Sequence, residues 1–239
     1  MTAMAASGLR SRLESLDMLA NNVANTSTSG YKADREFYGL YASPEAVDSG
    51  QGVTMPVIER PWIDLAQGAM LPTGNTLDLA LSGKGFFTVQ SPGGSLYTRN
   101  GSFHLAADGT LTTADGYPVS GTAGAVLRLQ TTGKIDVSRD GTVTQDGQIV
   151  GQLQLVDFPG AAGLAKRGNN YFRAAGAVPA APADAATTVE QGRLEASNTG
   201  TAESAVRLIS IMRQFEMMQK AASTALDMSK EAVEQVAKV

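Results

Sequence analysis

No cysteine occurs anywhere in the 239 residues. That absence removes disulfides, thiol nucleophiles and cysteine-held metals together. Histidine is nearly absent too. His104 stands alone beside Phe103 and reads as a strand surface residue, not as half of an acid–base pair or a metal ligand set. Aromatic residues make up 6%, thin for a large enzyme core, and charged residues 18%, below the usual quarter. The net charge of -4 gives no broad electrostatic grip on nucleic acid. No apolar run approaches the ~20 residues that span a bilayer. Met1 to Leu9 holds no continuous apolar core, and Arg10 interrupts it, so no secretory signal is expected.

Catalytic motifs are missing as well. There is no G-x-S-x-G element. Ser29-Gly30-Tyr31-Lys32 matches S-x-x-K only formally, since neither S-D-N nor K-T-G accompanies it. Gly83-Lys84-Gly85 lacks the Ser or Thr that a phosphate loop places after its lysine, and reads as a tight turn. Four Asp-Gly steps lack the spacing of an EF-hand or of a calcium-binding nonapeptide repeat. No catalytic, cofactor-binding or metal-binding residue is assigned, and no cofactor is expected.

What is present is periodicity, and it separates three regions. From Thr2 to Asn25 the chain reads as a helix, with Leu9, Leu13, Leu16, Ala20 and Val23 on one stripe at 4-3-4-3 spacing. A run of Asn, Thr, Ser and Gly from 25 to 30 ends it, because such residues bond their own backbone and favour turns. From Thr201 to Val236 no Gly or Pro occurs. Ala205, Leu208, Met212, Phe215, Ala222, Leu226, Val233 and Val236 make a heptad seam, interrupted at Gln219 and Ser229 and widened by Ile211 and Met218. Helices of this kind are marginal alone, so the two termini are expected to pack together.

The middle reads as β. Short alternating or apolar runs such as Leu77–Leu81 and Gly85–Gln90 are bounded by glycine. Asp108-Gly109-Thr110 and Asp115-Gly116 are echoed by Asp140-Gly141-Thr142 and Asp146-Gly147, which suggests two similar hairpin-rich units with type I′ centres. The expected division is a helix over 1–30, an extended connection over 31–75 with possible strands at Val53–Ile58 and Pro61–Leu65, a β domain over 76–173, a connecting loop over 174–198, and a second helix over 199–239. The fold class is α+β: an all-β central domain inserted between terminal helices that pair as a coiled coil.

Three ordered motifs carry a resemblance. The first is Ala20, Asn21, Asn22, Ala24, Asn25, Thr28, Gly30, Tyr31 and Lys32. The second runs from Asn75-Thr76-Leu77-Asp78 through Gly85-Phe86-Phe87 and Tyr97-Thr98-Arg99-Asn100-Gly101-Ser102-Phe103, followed by the pattern from Asp108 to Gly121. The third is Gln191-Gly192-Arg193-Leu194-Glu195-Ala196-Ser197-Asn198, read as opening the terminal helix, with Met212-Arg213-Gln214-Phe215-Glu216 beyond it. Together they resemble the bacterial flagellar axial proteins. The length and the Arg-Gln-Phe-Glu-Met element are similar to the rod group, and within it to the proximal-rod type more than to the distal-rod type.

The resemblance implies a structural subunit of the basal-body rod, located in the periplasm and exported by the flagellar type III apparatus. Its implied partners are proximal and distal rod subunits and copies of itself, with no nucleic acid and no membrane insertion. It also implies that Leu9, Leu13, Leu16, Val23, Leu208, Met212, Phe215 and Leu226 form the helix seam used in assembly. A distal-rod subunit is the near alternative; a secreted adhesin with a β core and helical stalk is the more distant one, and would need an exposed aromatic or charged pocket.

Overall fold

The computed structural model describes residues 2–42, 54–160, 163–168, 170–175 and 180–236. The chain divides into two compact units. The first takes Met1–Ala24, Asp34–Trp62 and Gly200–Val239; the second takes Asn25–Ala33 and Ile63–Thr199.

In the first unit, α1 (Thr2–Ala24) ends where the Asn/Thr/Ser/Gly run begins. It is followed by β1 (Asp34–Ala42) and β2 (Thr54–Ile63), which pair with each other. β2 is one strand, where two were expected on either side of Arg60. Pro61 lies inside it, and a two-stranded ribbon leaves an outer edge on which a proline costs no ladder bond. Val53 lies outside the described residues. The C-terminal helix α2 (Thr201–Val236) packs against α1.

The stripes buried within this unit are rotated from the expected ones. On α1 the buried residues are Ser15, Leu19 and Asn22, at spacings of four and three, with Leu16, Met18 and Val23 half-buried. Leu13 is 48% exposed and Ala20 is exposed. On α2 the stripe is Ser204, Leu208, Ile211, Phe215 and Met218, so Leu208 and Phe215 stay in it while Met212 is 47% exposed. A hydropathy pattern follows large apolar residues. It does not register Ser15, Asn22 or Ser204 as interior, and one residue of offset turns a helix by about 100°. The side chains of Leu9 and Leu226 lie outside the described set.

Among the described residues, the second unit is built of strands, with a 3-10 turn at Thr122–Gly124. Its first strands are β3 (Met70–Pro72), β4 (Leu79–Ser82), β5 (Phe86–Ser91) and β6 (Gly94–Thr98). Then come β7 (Phe103–Leu105), β8 (Leu111–Thr113), β9 (Ile135–Val137), β10 (Thr142–Gln145), β11 (Gln148–Gln152) and β12 (Leu155–Asp157). Last are β13 (Leu164–Arg167), β14 (Tyr171–Ala174), β15 (Ala181–Pro182), β16 (Thr188–Gln191) and β17 (Arg193–Glu195). The main sheet has the order β13-β14-β6-β5-β12-β15.

Strand β5 shows why this sheet is stable. Successive side chains point to opposite faces. Phe87 and Val89 enter one core with Leu79, Leu96, Phe103 and Val143. Phe86 enters a second core with Ile63, Phe158 and Phe172. Phe87 meets Phe103 edge-on at 5.2 Å between ring centroids, and Phe86 meets Phe172 at 5.4 Å.

The suspected repeat is a repeat in structure. β7 pairs β8 with Phe103 opposite Thr113 and Leu105 opposite Leu111; β9 pairs β10 with Ile135 opposite Gln145 and Val137 opposite Val143. In each copy an aspartate caps the turn. Asp108 accepts the Thr110 amide at 3.1 Å and its hydroxyl at 2.8 Å, and Asp140 does the same for Thr142. These bonds, the amide first, hold both carboxyl groups below their ordinary pKa. The type I′ expectation fits one step only. Asp146 and Gly147 both have positive φ, +51° and +82°, whereas at Asp108, Asp115 and Asp140 only the following glycine is left-handed.

Both segments expected to be plain connections carry strands. β17 pairs β3, and β16 pairs β4 with Val189 opposite Leu81. The Gln191–Asn198 motif therefore completes the β unit, and the terminal helix starts after it.

Candidate functional site

The three motifs meet at one place, inside the second unit. The first motif begins on α1, where Ala20, Asn21 and Ala24 are exposed and Asn22 is buried. The Asn22 side-chain amide grips the backbone of Asp34 from both sides, accepting its N–H at 3.0 Å and donating to its carbonyl at 2.8 Å. This staple closes the neck of the loop 25–33. Inside the loop, Thr28 donates its N–H to the Asn25 carbonyl and its hydroxyl to Asn25 Oδ1, each at 3.1 Å. Tyr31 N–H then bonds the Thr28 carbonyl at 3.2 Å. Asn, Thr and Ser are suited to such local bonds, which compete with continued helix.

The tip of the loop is buried. Gly30 has φ +70° and donates its N–H to the Glu195 carbonyl at 2.7 Å. A Cβ there would run into the Arg99 carbonyl and the Asn100 amide, so glycine is required by both conformation and space. The buried Tyr31 ring lies under the Lys166 ammonium, 4.3 Å from the ring centroid, and the same ammonium donates to the phenol oxygen at 3.3 Å.

Lys32 is fully buried, as is Glu195. Lys32 Nζ donates to Glu195 Oε1 at 2.5 Å and to the Ala66 carbonyl at 2.7 Å. The other carboxylate oxygen, Oε2, accepts Arg99 Nη1 at 3.1 Å, and Oε1 also accepts the Gly68 amide at 2.9 Å. Arg99 spends further donors on the carbonyls of Leu81 and Gly83, and its guanidinium lies 5.4 Å from the Phe86 ring centroid. Its Nε is buried with no partner among the described residues.

Burial lowers the pKa of Lys32 and of Arg99, and the Glu195 carboxylate opposes both shifts. Two buried cations thus share the Glu195 carboxylate, with buried Asp64 also favouring the charged lysine. Asn198 completes the junction. Its Oδ1 accepts the Ala33 amide at 2.8 Å, and its Nδ2 donates to the carbonyls of Asp64 at 2.7 Å and Ala66 at 3.1 Å.

The chemistry of this arrangement is to hold. Every atom of the Glu195 carboxylate is committed to a donor, so nothing in it is poised to move a proton or attack a substrate. Among the motif residues, the structure brings Asn25, Thr28, Gly30, Tyr31 and Lys32 together with Arg99 and Glu195. The seam residues lie elsewhere, on α1 and α2. Arg99, Glu195 and Asn198 sit inside the second and third motifs but were not singled out as site residues. Their signal was a charge or amide set among glycines and apolar residues. His104 is exposed, and no group of three or more His, Asp or Glu among the described residues has the arrangement of a metal site. No described helix is long and apolar enough to cross a membrane.

Comparison with known proteins follows the same three blocks. Residues 3–32 match the family model described as flagella basal body rod protein. Residues 80–145 match the flagellar hook protein FlgE/F/G D1 domain, and residues 190–235 the flagellar basal body rod FlgEFG protein C-terminal model. The flagellar basal-body rod protein FlgF of Caulobacter vibrioides is 35% identical over 228 residues, covering 94% of this chain and 92% of the relative. The rod protein FlgG of Agrobacterium fabrum is 34% identical over 256 residues, covering 95% of each. FlgG of Bacillus subtilis is 32% identical over 254 residues, again covering 95% of each.

Proposed function

The chain belongs to the flagellar basal-body rod protein family, and from that premise we propose that it is a proximal-rod, FlgF-like subunit. Membership makes it a structural component of the basal body, assembled with other rod subunits in a rod that spans the periplasm, and not an enzyme.

Alignment length supports the finer reading. The FlgF relative aligns over 228 positions for 94% of the chain, so the two run nearly in step. The FlgG relatives need 254 and 256 positions for 95% of it, and therefore carry residues that this chain lacks.

In this reading the terminal helices pair as a coiled coil and line the inner wall of the rod, where they bound the export channel. The β unit faces outward. Neighbours are copies of the chain and the proximal and distal rod proteins, and the type III apparatus delivers the chain. Torque passes through many helix contacts. The exposed apolar residues of α2, which include Val206, Ile209, Met212, Met217 and Met228, are available for them. Leu13 on α1 is available in the same way. Leu9, Leu16, Val23, Leu208, Phe215 and Leu226 extend this proposed seam.

Quantitative mass spectrometry of purified hook-basal bodies tests the assignment. A few copies against the abundant hook subunit supports the proximal rod. Copies at the level of the distal rod favour FlgG, and absence from the particle removes the rod reading.

A further inference from the structure

The path of the chain through its two units is unusual at one point. Residues up to Ala24 belong to the first unit, Asn25–Ala33 to the second, and Asp34 onward to the first again. A short insert thus leaves one unit, buries Gly30, Tyr31, Lys32 and Ala33 in the other, and returns. We propose that this insert is a plug that seats last, in a socket that exists only after the C-terminal flank of the β unit has paired.

The socket is built without the plug. Glu195 is placed by the β17–β3 pairing, in which it stands opposite Met70. Its carboxylate is already held by Arg99 and by the Gly68 amide. Arg99 and Glu195 alone make a neutral buried pair, with the guanidinium also bonded to the carbonyls of Leu81 and Gly83. That pair can stand before Lys32 arrives.

The reverse order fails. Without Glu195, the Lys32 ammonium would keep only the Ala66 carbonyl in a fully buried site, and an unpaired buried charge is strongly disfavoured. Contacts of the plug with the rest of its unit include Ala66, Lys166, Glu195 and Asn198, at sequence separations of 34, 135, 163 and 165 residues. Closing such long loops costs entropy before any contact repays it. The neck, by contrast, is stapled locally by Asn22 and Asp34, so the loop can be preformed while its tip is unseated.

The consequence for an exported chain rests on the rod reading: the N-terminal signature of a subunit stays unseated until residues 188–198 have been delivered and paired. The order of seating itself does not depend on that reading.

Pulse-labelled hydrogen exchange during refolding of the full chain tests it. The amides of β5 and β6, and those of β16, are expected to gain protection in an earlier phase than the Gly30 and Ala33 amides. At equilibrium, Gly30 and Ala33 are expected to exchange through a lower-energy opening than β5 and β16, and Lys32→Met should speed their exchange by at least tenfold. Protection of Gly30 and Ala33 together with β16, or before it, overturns the proposal, as does unchanged exchange at Gly30 and Ala33 in the variant. Absence of the chain from basal bodies would remove the rod reading and leave this order untouched.

Discussion

At the residue scale the weight falls on Glu195. Its carboxylate pairs with both buried cations, so its removal and theirs are not equivalent. Glu195→Gln leaves Lys32 and Arg99 facing each other with no carboxylate hydrogen-bonded between them, and a loss of about 3–5 kcal/mol is expected, the range for breaking a buried pair from one side. Lys32→Met leaves the Arg99–Glu195 pair intact and removes one charged hydrogen-bonding group, so about 1–3 kcal/mol is expected. Urea denaturation of the two variants reads the difference, and equal losses would show that Glu195 is not the centre of the network.

The same network sets a pH dependence. Burial lowers the native pKa of Lys32 below its unfolded value of 10.5. Between those two values the unfolded chain binds more protons, so stability from this group rises with pH. The cost of burying the ammonium is present at neutral pH and is relieved on approaching 10.5. Measured from pH 8 upward, the wild type should therefore gain on Lys32→Met, with other titrating groups cancelling in the comparison. Lys32 itself was legible as a motif residue. Its partners were not, because nothing in a single sequence joins position 32 to positions 99 and 195.

At the element scale the helices were legible in extent, and the stripe each buries within the chain is offset from the hydropathy pattern. Leu208 and Phe215 belong to the stripe buried within the chain, but their companions are Ile211 and Met218, while Met212 faces out. This separates two kinds of substitution. Ile211→Asp puts a charge into the buried stripe and should weaken the helix pair within the isolated chain. Met212→Asp should leave the isolated chain unchanged in circular dichroism and thermal melting, yet reduce incorporation into basal bodies. Equal melting losses for both would mean that Met212 is interior after all. Phe215→Pro goes further, since a helix-interior proline costs about 3 kcal/mol or more. It should block incorporation while the β unit keeps its melting transition.

Strands of the β unit were legible where alternation ran long enough. β5 offered six residues bounded by glycines, and its two faces fill two cores. β3 and β17 offered three residues each, with Pro72 ending the first and only one buried residue, Glu195, between them. A glutamate is a poor sign of an interior strand. It became interior because Arg99 and Lys32 came to it, a tertiary fact without local trace.

At the scale of the whole molecule, the inserted β region was visible in the sequence, but its closing residues were assigned to a loop. β16 brings Val189 into the main core opposite Leu81, and β17 brings Glu195 to the motif junction. The second unit thus ends at Thr199, immediately before the helical residues from Gly200 onward in the first. Two truncations distinguish this boundary from a β domain closing near residue 173. A chain ended after Thr199 loses α2 and with it assembly, but retains β16, β17 and the Lys32–Glu195–Arg99 network. Its β unit should unfold in one cooperative transition and resist limited proteolysis. A chain ended after Thr187 lacks Val189 and Glu195, leaves Leu79 and Leu81 without their paired strand, and strands Lys32 beside Arg99 with no carboxylate between them. Its transition should broaden and shift down, and protease should cut within residues 25–33 and 66–84. If the shorter chain melted as sharply and as high as the longer one, the C-terminal flank would be an appendage of the β unit and not its closure.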